Sequence, residues 1–299
     1  MKRVIALLLL CLLLLSGCQS PEKAPETDQI SIVASLFPQY DFAKAIAGDR
    51  ASVTLLLPPG AESHSYEPKP ADVIAINNSD LFIYTGENLE GWADSMLKGL
   101  EGNPAVLDLS AGITLHEHEG HEHHGADPHI FTSPRYAVKM AQDIEDKLCE
   151  IDPEHAAEYR SRGEAYRKEL LALDGEFRQA VEKGARKKLI FGGRFAFLYF
   201  VEEYGLDYEA AYDSCSSETE PSAAKLAQIM ETVTNEKIPV VYYEELSDPK
   251  TARLICEETG AKPLLLHSCH NVSKEELAKG VTYLSLMREN LANLKEGLS

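Results

Sequence analysis

The sequence predicts an α/β protein of two lobes, each a parallel sheet flanked by helices, joined by one long helix. Three observations predict it. Short apolar runs alternate with helical stretches from residue 30 onward, this alternation stops near residue 150 and starts again near 185, and one long amphipathic segment fills the interval.

In the first half the apolar runs are ISIVASLF, SVTLLLP, DLFIYTG and AVLDLS, with helical stretches expected at 38–47, 69–77, 88–100 and 133–149. Runs apolar on both faces belong to strands covered by helices on both sides, which is the environment of a parallel sheet. The second half repeats the scheme with KLIFGG, DYEAAY, PVVYYEE and PLLLH, and helices expected at 194–204, 221–235, 248–259 and 274–295. Between the halves, Tyr159, Tyr166, Leu170, Leu173, Phe177 and Val181 recur at helical spacing behind Pro153, which suits a first helical turn. A helix of some thirty residues would span roughly 45 Å, enough to run along both lobes. The predicted organisation is therefore 30–150 for the N-terminal lobe, 151–184 for the linking helix and 185–299 for the C-terminal lobe.

The chain opens MKRVIALLLLCLLLLSGCQS: two cations, an apolar run from Ile5 to Leu15, then small residues. This is a secretory signal, too short to read as a membrane span. Leu15-Ser16-Gly17-Cys18 resembles a bacterial lipobox, which implies cleavage after residue 17 and lipid on Cys18. Residues 18–29 are polar and proline-bearing and read as a flexible tether. The expected location is extracytoplasmic, lipid-anchored to the bacterial cell membrane.

Formal net charge is −19, and loss of Lys2 and Arg3 with the signal makes it −21. Such a surface argues against nucleic acid and attracts cations. Beyond Cys11 and Cys18, the cysteines Cys149, Cys215, Cys256 and Cys269 have no zinc-ribbon spacing; outside the cytoplasm they are available for one or two disulfides, whose pairing the sequence does not define.

Ligands of open α/β sheets collect at the carboxyl ends of the strands. His64 follows SVTLLL, His129 follows VLDLS, and His267 ends PLLLH. Any one of them alone reads as an ordinary loop histidine. Their shared placement suggests convergence on a metal, since imidazole suits Zn²⁺.

The stretches IVASLFPQYDFAKAIAGD, LLPPGAESHSYEPKPADVIAINNSDLFIYTGENLEGW, DPHIFTSP, EETGAKPLLLHS and VTYLSLMRENLANL resemble the TroA-like zinc and manganese solute-binding proteins over nearly the whole mature chain. The resemblance implies two α/β lobes on one long helix, metal bound between them, no enzymatic step, and delivery to an ABC-type metal permease by a monomer. It also implies that His64 and His129 are ligands. The family's third ligand opens the first helix of the second lobe, in a sequence similar to H-x-A-F-x-Y-F, but here Arg194 stands there. A guanidinium has no lone pair to give. At the fourth position, usually Asp, the match gives His267. Glu218 in CSSETEPS is the candidate to complete the site or to pair with Arg194; Glu220 reads as a helix N-terminal acid, and Cys215 competes as a thiolate or as a disulfide partner of Cys269.

Six of the ten histidines lie in HEHEGHEHHGADPHIFTSP. His116, His118, His121, His123 and His124 sit among glutamates in a stretch broken by Gly120 and Gly125, composition suited to loose metal exchange, so they read as an accessory metal loop. Nitrogen-rich coordination favours Zn²⁺ over Mn²⁺. Two alternatives stand beside the receptor: a zinc hydrolase built on three histidines, which lacks an H-E-x-x-H or comparable constellation, and a surface lipoprotein for zinc buffering or cell adhesion.

Overall fold

Apolar runs of the first half form β1 (Ile30–Ala34), β2 (Ala51–Leu55), β3 (Leu81–Tyr84) and β4 (Ala105–Asp108). They pair, all parallel, in the order β2-β1-β3-β4. The structure is a computed structural model that describes residues 29–116, 126–212 and 220–299. In the second half β5 (Lys188–Phe191), β6 (Asp207–Ala210), β7 (Val240–Tyr243) and β8 (Lys262–Leu265) repeat the arrangement as β6-β5-β7-β8. The first sheet is flanked by α1 (Phe37–Ala47), α2 (Pro70–Asn77), α3 (Ala93–Leu97) and α4 (Pro134–Ile151). The second carries α6 (Leu198–Tyr204), α7 (Ala223–Asn235), α8 (Lys250–Thr259), α9 (Lys274–Lys279) and α10 (Tyr283–Gly297).

Between the sheets runs α5 (Ala156–Lys183), about 42 Å of helix. Every member of its apolar stripe, from Tyr159 to Val181, is buried. The helix packs on α1 and α4 of the first lobe and on α6 and α10 of the second, so its apolar face belongs to both. Gly163 permits the close approach of α4: a Cβ there would fall on the Glu145 carboxylate, which Arg167 holds.

Three helices depart from the predicted spans: the one expected at 194–204 starts at Leu198, which leaves Arg194 in the loop before it, and the other two differ for local reasons. The stretch 88–100 is helical only at Ala93–Leu97, because the buried Glu90 carboxylate turns back to accept the Thr85 and Gly86 N–H groups and the Ser35 hydroxyl. The stretch 274–295 is two helices: Gly280 takes a left-handed φ of 71° and ends α9, and the Thr282 side chain caps α10 by accepting from Ser285 N–H.

Asp41 joins three elements at the lobe junction. Its carboxylate accepts from Tyr283 N–H at the start of α10 (2.9 Å) and from the Tyr166 hydroxyl of α5 (3.2 Å). Burial pushes its pKa up to about 6 against the pull of those two hydrogen bonds. The folded state therefore holds this proton more tightly than the unfolded chain. The stabilising contribution is complete below about pH 4 and lost as pH rises through about 6, at a cost of roughly 2–3 kcal/mol. Asp41→Asn keeps an acceptor for Tyr283 and cannot ionise; its stability relative to the parent should rise between pH 4.5 and 8, as read by urea unfolding at both values.

Candidate metal centre

The loops after β2, β4 and β8 meet in the cleft between the sheets. The first brings His64, the second His129, and the third His270, which lies five residues beyond the end of β8. One ring nitrogen from each falls within 4.8 Å of the others, the one such group among the described residues. His64 Nε2 and His129 Nε2 are 3.3 Å apart. Two donors about 2.0–2.1 Å from a tetrahedral Zn²⁺ stand about 3.3–3.4 Å from each other, so this spacing fits a shared ion.

Hydrogen bonds set the tautomers. Asp127 Oδ1 accepts from both the backbone N–H and Nδ1 of His129, at 2.7 and 2.8 Å, which leaves the Nε2 lone pair facing His64. For His270 the same result needs one more link. The Ser268 hydroxyl donates to Glu245 Oε1 (2.5 Å), so it accepts from His270 Nδ1 (2.7 Å) and the ring's proton sits on that side. His270 Nε2 is buried without a hydrogen-bond partner. Burial first, then the neighbouring His129 and His64, holds the His270 pKa well below the ordinary histidine range, so the ring is neutral and able to donate its lone pair. A carboxylate behind each metal-facing imidazole is the usual means of fixing a ligand's orientation. Ser268→Ala would cut the Glu245 relay, and zinc affinity should fall about 10–100-fold in a competitive titration.

The loops are also tied across the cleft. Asn271 donates to Pro58 and Ala61 carbonyls in the loop that carries His64, and Gly60 N–H donates to Val272. The Tyr283 hydroxyl donates to the Phe131 carbonyl, two residues past His129.

His267 is not in the group. Its Nδ1 accepts the Cys269 N–H (2.9 Å), and its backbone is bracketed by the Asn290 amide, which accepts from its N–H and donates to its carbonyl. Its lone pair is spent inside the loop, holding the turn at Cys269, whose φ is 67°. The strand ends at Leu265 rather than at His267, which carries the metal-facing position further along H-S-C-H. The second histidine of that short motif, and the acid pair Glu244-Glu245 after β7, were the available signals.

Arg194 lies at the cleft, with Glu62 Oε2 3.9 Å away. Glu218 and Cys215 lie outside the described residues, as do Cys18, His118, His121, His123 and His124. Glu220 accepts from the Tyr212 hydroxyl. Among the described residues no disulfide joins Cys149, Cys256 or Cys269 to another. His116 stands apart from the cluster, paired with Glu202 of α6. Its carbonyl accepts from Asp127 N–H (2.7 Å), and the Tyr199 hydroxyl accepts from His116 N–H and donates to the Asp127 carbonyl.

This arrangement of lobes and loops is that of a known family: residues 32–297 match zinc-uptake complex component A, periplasmic. The chain belongs to the ZnuA family. ZnuA of Bacillus subtilis (strain 168), a high-affinity zinc uptake system protein, is 33% identical over 96% of this chain and 95% of its own. The Zn(II)-bound ZnuA-like domain of Streptococcus pneumoniae AdcA superposes with a TM-score of 0.79 at 32% identity, covering 90% of this chain and 99% of that one. Full-length AdcA is longer, and this chain spans 61% of it. The laminin-binding protein Lmb of Streptococcus agalactiae, described as bifunctional with adhesin and metal-transporting activity, is 31% identical with a TM-score of 0.79, over 90% of this chain and all of that one. In this chain His64 and His129 lie in the loops after β2 and β4, the loops to which the sequence assigns them.

Proposed function

We propose that the chain is the extracytoplasmic receptor of an ABC-type importer, capturing Zn²⁺ between its lobes through His64, His129 and His270 and passing it to a membrane permease. The convergence of three imidazoles, two of them 3.3 Å apart and two backed by carboxylates, carries this reading. Nitrogen donors favour Zn²⁺ over Mn²⁺, which prefers more carboxylate oxygen. No chemistry on the metal is needed, only capture and release. Lipid on Cys18 would keep a monomeric receptor beside its permease, and residues 18–29 would give it reach. The histidines between 116 and 124 serve as an accessory loop that supplies metal to the cleft, and Glu218 is a candidate fourth ligand. His267 is assigned to the loop's architecture.

The test is a competitive zinc titration of the purified protein beside a variant with His116, His118, His121, His123 and His124 changed to Ser. One tight zinc retained in that variant and lost in His64→Ala supports the interlobe site. Loss of all tight binding with the five loop histidines would move the site to residues 116–129.

A further inference from the structure

One helix grips the metal centre from both lobes. Tyr283, at the start of α10, sends its hydroxyl to the carbonyl of Phe131 in the first lobe (2.7 Å). Asn290, seven residues on, accepts the His267 N–H and donates to the His267 carbonyl, both at 2.7 Å. Seven residues are nearly two full turns, so the two side chains leave one side of the helix roughly 10 Å apart. Both are buried, 0% and 2% exposed. The helix start is itself fixed: Tyr283 N–H donates to Asp41 (2.9 Å), and the Tyr283 ring meets Phe42 edge to face at 5.0 Å.

Each grip leads to a metal-facing ring by a short, bonded path. The turn Ile130–Thr132 follows His129 directly, and Thr132 donates to the His129 carbonyl from both its N–H (3.0 Å) and its hydroxyl (2.8 Å). On the other side the His267 ring accepts the Cys269 N–H (2.9 Å), and His270 is the next residue. The Phe131 ring contacts both imidazoles edge to face, its centroid 6.0 Å from that of His129 and 5.1 Å from that of His270. Ions differ in the donor separation they accept, so a fixed separation favours one ion over another. Resting on the metal site assigned above, we infer that α10 is a spacer for that site: Tyr283 and Asn290 are positioning residues that set the distance between His129 and His270, and with it the coordination geometry offered to the ion. Neither residue gives a donor atom to the metal; each acts through the loop it holds.

Competitive zinc titration of the full-length chain tests this, together with the visible absorption of bound Co²⁺, whose intensity follows coordination geometry. The proteins compared are the parent, Tyr283→Phe, Asn290→Ser, the double variant and Leu294→Ala. Leu294 is buried on α10 one turn beyond Asn290, so its truncation loosens the helix without cutting either grip. Tyr283→Phe and Asn290→Ser should each lower zinc affinity about 10-fold and alter the Co²⁺ band. The double variant should lose less than the product of the two, about 100-fold, because either loss frees the same distance. Leu294→Ala should keep the parent's band and stay within about 2-fold in affinity. An unchanged affinity and band in Tyr283→Phe overturns the inference, as does an equal loss in Leu294→Ala or a double-variant loss that reaches the full product. Where Asn290→Ser does not fold, Tyr283→Phe against Leu294→Ala decides alone. A parent that holds no tight zinc would overturn the metal site itself and this inference with it.

Discussion

His129→Ala should lower zinc affinity by two to three orders of magnitude. Zinc bound at a four-ligand protein site is worth about 10–16 kcal/mol, so one ligand's share is about 3–4 kcal/mol, or about 10²–10³ in Kd. His129 is the most completely held of the three rings, 1% exposed and fixed by two hydrogen bonds to Asp127, so no neighbour can move in to replace it. His270→Ala should match it. His267→Ala should lower zinc affinity by about 10-fold, the low end of what loss of an outer partner costs, because that ring acts on the loop and not on the ion. Isothermal titration against a competing chelator separates these outcomes, and a His267→Ala loss as large as that of His129→Ala would exchange the roles of the two histidines.

The second large effect is pH. Zinc requires the neutral ring, so protons and metal compete for the same lone pair and affinity falls as pH drops through the ordinary histidine range near 6.5. With three imidazoles the limiting slope would be three decades of affinity per pH unit. Burial holds His270 well below that range, so it brings no proton to the competition. The slope should therefore not exceed about two decades per unit, and affinity should drop by about two orders of magnitude between pH 7.5 and 5.5. Zinc affinity measured at half-unit steps checks both numbers. A limiting slope of three would mean that His270 titrates like an exposed ring.

The strand and helix order was legible in the sequence because each element announces itself locally. The runs of Ile, Val and Leu in ISIVA and LFIY have no other place than a covered sheet, and the stripe from Tyr159 to Val181 is one face of a helix. His64 and His129 were legible for a related reason: both lie in loops that emerge from the carboxyl ends of strands whose apolar runs mark them. His270 was not. Its position depends on a loop whose course is set by tertiary bonds, namely Asn290 on the backbone of His267 and the Cys269 N–H on its ring, and no local pattern records these. The same holds for the Glu245-Ser268-His270 relay, whose members come from loops after two different strands. Helix ends failed where a side chain reached back to the main chain, as Glu90 does.

The bond from Asp127 N–H to the His116 carbonyl has a consequence for how such a protein varies over generations. It holds His116 and Asp127 together, and Tyr199 bonds both, so these two residues form one fixed anchor. Insertions or deletions between them need not be transmitted to Asp127 or to the histidine it orients. The sequence of the tract between them can therefore change in length or composition while Asp127 and the histidine it orients keep their register.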